Sequence, residues 1–127
     1  MLGRVAIGVA VVSFLVGIAA LPGNATTKKA PVCPPSSAPP RYPAIEPVFK
    51  RNCAGCHDSR KSKNVPAQRV FEMTSYPFAT ERPATLLHDL RGMFIGRGGL
   101  SDTERCIGIG WVDGGGLDAS GNLPAWR

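Results

Sequence analysis

With 127 residues, and fifteen lysines and arginines against nine aspartates and glutamates, the chain carries a formal net charge of +6. That length excludes several domains with independent cores and leaves little core for one. The basic balance fits a nucleic-acid ligand by charge alone, but the export signal at the start of the chain speaks against that class.

Met1-Leu2-Gly3-Arg4 precedes an apolar run from Val5 to Leu21, and Pro22-Gly23-Asn24-Ala25 follows. A charged start, a hydrophobic segment and a helix-breaking, small-residue stretch have the form of a secretory signal peptide, residues 1–25. Retention as an uncleaved anchor is the alternative, since the run is at the lower limit of spanning length. The expected location is the periplasm or beyond, free or tethered through that N-terminal segment. Residues 26–43 hold Pro31, Pro34, Pro35, Pro39, Pro40 and Pro43 without apolar periodicity. They read as a proline-rich linker or as a leader wrapped on the domain. Residues 44–127 form the expected domain.

Three helical stretches are predicted there, joined by glycine-rich loops. The first spans 45–56, where Ile45, Val48, Phe49, Asn52, Cys53 and Cys56 recur at three and four, with Pro47 in the opening turn. The second follows Pro83, carries Leu86, Leu87, Leu90 and Phe94 on one side, and ends near Gly92. The third opens on a capping box, Ser101-Asp102-Thr103-Glu104, and stops at Asp113-Gly114-Gly115-Gly116. Gly108 and Gly110 inside it each cost about 1 kcal/mol relative to alanine, which implies close packing against the first helix or a bound group.

Cys53-Ala54-Gly55-Cys56-His57 is a CxxCH string. Two thiols at this spacing bond to the vinyl groups of a haem, and the next residue supplies an iron ligand. A zinc site would require a second close Cys/His pair, and only the isolated Cys33, Cys106 and His88 remain. A redox CxxC sits between a strand and a helix, and no strand pattern precedes this one. The expectation is therefore one covalent haem c, held by Cys53, Cys56 and His57.

That string, the preceding Ile45-Glu46-Pro47-Val48-Phe49-Lys50-Arg51-Asn52, and the closing Leu100-Ser101-Asp102-Thr103-Glu104-Arg105 with Gly110-Trp111-Val112-Asp113-Gly114-Gly115 resemble the class I cytochrome c superfamily over residues 43–116. Similar small haem domains occur in secreted bacterial proteins. The resemblance implies an all-α cytochrome c-like fold, with three or more helices around the haem and methionine usually opposite the histidine. The short Met-Pro motif of that family is absent here. Met93, seven residues before Leu100, is the expected sixth ligand, and Met73 and His88 are the alternatives.

Around the haem, Arg97 and Arg82 are candidate partners for the propionates. Trp111 is expected at the haem edge with its indole N–H on a propionate or a backbone carbonyl. Tyr76-Pro77-Phe78 reads as a plug over the crevice or as core. Cys33 and Cys106 remain for a disulfide, or for a buried thiol at Cys106. Lys50, Arg51, Arg60, Lys61 and Lys63 form a basic rim suited to an acidic redox partner. The function expected is non-enzymatic, a periplasmic monohaem electron carrier. A non-catalytic cytochrome subunit of a larger periplasmic or membrane-bound oxidoreductase is the main alternative, and an open-iron sensor or peroxidase-like protein a third.

Overall fold

The computed structural model describes residues 29–126, so the leader expected over residues 1–25 lies outside the described residues. Five helices follow one another: α1 Tyr42–Asn52, α2 Ala54–His57, α3 Val65–Val70, α4 Leu86–Gly96 and α5 Asp102–Asp113. The extended structure among the described residues is an isolated antiparallel bridge between Glu72 and Ala79. None of the described helices is long and apolar enough to cross a membrane.

The first helix begins earlier than its periodicity suggests. Pro43 falls in its opening turn, where a missing N–H is harmless, which places Pro47 one turn deeper and without its bond to the Pro43 carbonyl. Pro47 is exposed, while Ile45, Val48 and Phe49 are buried on the opposite side. At Cys53 the backbone departs from regular helix (φ −120°, ψ −31°), and α2 resumes as a separate short turn.

The capping box of α5 is formed as expected. Ser101 accepts from the Glu104 N–H at 3.2 Å, and Glu104 accepts from the Ser101 N–H at 2.8 Å. The second predicted helix does not stop at Gly92. That glycine faces open space within α4, which continues to Gly96 and ends where Arg97 turns extended. The close neighbour of Gly108 is α4: a Cβ there would fall 2.5–2.6 Å from three ring carbons of Phe94. Gly110 instead admits Pro40 of the proline-rich segment.

Phe49 sits at the centre of the domain. Phe71, Phe78, Phe94 and Trp111 surround it edge-on, with centroids at 6.0, 5.1, 5.8 and 5.5 Å. Such pairs add about 0.5–1.5 kcal/mol each beyond the area they bury. This arrangement corrects the expected cytochrome c-like fold. The helices do not close around a haem; five aromatic rings, each at most 2 % exposed, fill the space between them. The C-terminal segment returns over this core, where Trp126 packs on Phe78 and Trp111.

The proline-rich segment lies against α5. Cys33 is joined to Cys106 by a disulfide with a Cα–Cα distance of 5.4 Å, and Pro39 and Pro40 cover Gly114 and Gly110. The disulfide that the sequence left open is thus formed.

Candidate functional site

The break at Cys53 decides where the two thiols of the CxxCH string go. Cys53 ends α1 with its N–H on the Phe49 carbonyl at 2.8 Å, and its side chain is 3 % exposed within the apolar core. Cys56, one turn later, is exposed. Burial pushes the Cys53 thiol above its ordinary range, against the smaller opposing effect of the Arg97 cation.

His57 closes α2 half-buried. Its ring stacks on Phe71, with centroids 3.8 Å apart and planes 12° apart, and its Nδ1 lies 3.0 Å from the Phe71 carbonyl. A carbonyl only accepts, so Nδ1 carries the proton and Nε2 keeps the lone pair. Burial lowers the pKa of this imidazole and favours its neutral form.

His57 and Met93 line one hollow of about 360 Å³ with Ala67, Val70, Phe71, Leu86, Asp89 and Leu90. The structure therefore brings the two expected iron ligands to a common space. Met93 reaches it from within α4, not from the loop in which the sequence placed it.

This arrangement does not fit a covalent haem. Neither Cys53 nor Cys56 lines the hollow beside His57, and the two thiols occupy opposite environments, one in the core and one in solvent. The hollow is at the small end of the roughly 300–1,000 Å³ typical of ligand pockets. Among the described residues no group of three or more histidine, cysteine, aspartate and glutamate side chains is arranged to hold a metal ion. These observations correct the expectations of a covalent haem c cofactor, of bound iron and of class I cytochrome c membership. They also correct both electron-transfer readings, carrier and oxidoreductase subunit.

None of the other expected residues lines this hollow. Met73 is buried, with its N–H on the His57 carbonyl at 2.9 Å, and His88 is exposed on α4. Trp111 is fully buried and donates from Nε1 to the Leu117 carbonyl at 3.1 Å. Arg97 is exposed and donates to the Asn52 carbonyl at 2.7 Å, tying the end of α4 to the end of α1. Arg82 is exposed. Phe78 belongs to the core, while Tyr76 stacks on Tyr42 at 3.9 Å and donates to the Gly116 carbonyl.

Two buried charged residues went unnoticed in the sequence. Arg105 is 7 % exposed and donates to the Ile95 and Arg97 carbonyls at 3.1 and 2.9 Å, closing the C-terminal end of α4. A cation in the first turns of α5 opposes that helix's own dipole, and this was the signal that it serves another helix. Asp58 is 3 % exposed and accepts a fork from Arg60, Nε at 2.9 Å and Nη2 at 2.7 Å. That guanidinium holds the Asp58 carboxyl down at about 2.

The basic rim divides. Arg51 pairs with Glu104, and Lys63 lies exposed before α3. Lys50, Arg60 and Lys61 instead meet in one polar cleft of about 310 Å³, whose walls include Tyr42, Glu46, Asp58, Thr74 and Tyr76. Lys50 is held by Glu46 at 2.8 Å and Arg60 by Asp58, while Lys61 makes no ion pair among the described residues. No protein-family model, curated protein or solved structure matches this chain.

Proposed function

We propose that the protein is an exported, non-enzymatic binding module that docks an acidic partner protein in the cleft of Lys50, Arg60 and Lys61. The observation that carries this reading is the convergence of three cations from α1 and the loop after α2 on one concave polar surface. Two of them are already oriented by carboxylates, so less side-chain freedom is lost when an acidic group arrives. Lys61 supplies the charge left for the partner. The reading also rests on the Cys33–Cys106 disulfide, a bond characteristic of oxidising compartments, which agrees with the signal-like leader.

Charge reversal tests it. Binding of a glutamate-rich peptide to the full chain, followed by calorimetry, is expected to weaken about tenfold in Lys50→Glu/Lys61→Glu. It is also expected to weaken as salt rises. Equal affinity in the variant, or affinity unaffected by salt, overturns the proposal.

A further inference from the structure

The cysteines of α2 and its N-terminal flank are nucleophiles that the basic cleft does not use. Cys53 and Cys56 are the ends of one closed turn: the Cys56 N–H donates to the Cys53 carbonyl at 3.1 Å, and the His57 N–H to the same carbonyl at 3.0 Å. A turn of this kind holds its end Cα atoms within about 7 Å. A disulfide spans about 4.4–6.8 Å between Cα atoms, so the turn sets the backbone separation such a bond needs, and the bond closes when the Cys53 side chain rotates out of the core toward Cys56. Their accessibilities differ sharply, with Cys56 exposed and Cys53 at 3 %. An external reagent therefore meets one sulfur first, and the other lies behind it.

We propose that Cys53 and Cys56 form a reversible dithiol–disulfide site that reacts with solvent-accessible disulfides, Cys56 attacking and Cys53 resolving. In the first step the Cys56 thiolate attacks one sulfur of the incoming disulfide. The sulfur–sulfur bond breaks, a mixed disulfide forms on Cys56, and one thiolate leaves and takes a proton from solvent. Cys53 then attacks the Cys56 sulfur and expels the second thiolate, which takes up the proton that Cys53 gives up. The balance is a dithiol and a disulfide converted to a disulfide and two thiols, with two electrons passing to the incoming disulfide. The site is separate from Cys33–Cys106, whose sulfurs are already bonded and whose strap lies along α5. It also does not depend on the basic cleft, which contains neither cysteine.

The test uses the full chain, with Cys53 and Cys56 reduced and Cys33–Cys106 intact, mixed with oxidised glutathione and read by alkylation and peptide mass. The expected product links Cys53 to Cys56 and releases two glutathione molecules per chain. Cys53→Ser is expected to stop at a mixed disulfide one glutathione heavier on Cys56. Cys56→Ser, a change at an exposed position, is expected to keep the wild-type circular dichroism and react at least about tenfold more slowly. Thiols inert to glutathione, or Cys53 reacting before Cys56, overturn the proposal. So does exported protein in which both sulfurs are bonded to a group other than sulfur.

Discussion

Removing the Cys33–Cys106 bond is the perturbation whose size the structure sets most directly. The bond joins residues 73 apart in sequence, and loop-closure entropy for a ring of that length gives about 4.4 kcal/mol at 25 °C. Both cysteines are half-buried, so alanine at each position leaves no buried polar atom without a partner. The contacts of Pro39 and Pro40 with α5 exist only in the folded state, so they cannot replace the restriction that the bond places on the unfolded chain. Against a total stability of about 5–15 kcal/mol for a small domain, the loss is large. Cys33→Ala/Cys106→Ala is expected to lower the thermal midpoint by roughly 15–30 °C. Its urea midpoint should fall by roughly 1.5–4 M, followed by far-ultraviolet circular dichroism at 25 °C. A loss under about 1 kcal/mol would refute the reasoning, because the strap would then constrain nothing in the unfolded chain.

Gly108→Ala is expected to destabilise by about 1–2 kcal/mol in the same titration: a methyl would press into Phe94, itself packed on Phe49, and gained helix propensity offsets only part of the strain. A stabilised variant would mean that Phe94 has room to move. Ser101→Ala, which removes half of the capping box, should cost about 1 kcal/mol, and an unchanged urea midpoint would remove the cap from the account. Asp58 lies at about 2 in the folded protein against an ordinary 3.8, so its stabilising contribution is complete above about pH 4 and disappears as pH falls toward 2. Stability measured across that window should fall less steeply in Asp58→Asn than in the wild type, and identical slopes would contradict the assignment.

What the sequence revealed was local, and what it concealed depended on tertiary contacts. The start of α5 was legible because a capping box is four consecutive residues whose side chains bond to their own backbone. The end of α4 was not: Gly92 has no positive φ and faces open space, so it interrupts nothing, and the helix ends where the chain must meet Arg105. Misplacing that end also put Met93 in a loop. The pairing of Cys33 with Cys106 could not be read from spacing, because connectivity is a property of the folded chain. The CxxCH string offered a haem chemistry that depends on both thiols facing one surface. The backbone break at Cys53 sends one thiol into the core and leaves the other in solvent. The rings of Phe71, Phe78, Phe94 and Trp111 around Phe49 fill the centre, and their convergence from four segments has no signature along the chain.

The central claim is that this core is filled by its own aromatic side chains and that Cys53 and Cys56 hold no covalent haem. The intact mass and visible spectrum of the protein produced from its full sequence, with the peptide spanning Cys53 and Cys56 analysed separately, test it most directly. The account predicts that peptide at the mass of its dithiol or disulfide form, with no absorption in visible light. An added covalent group on that peptide, with the visible absorption of a porphyrin, would contradict it.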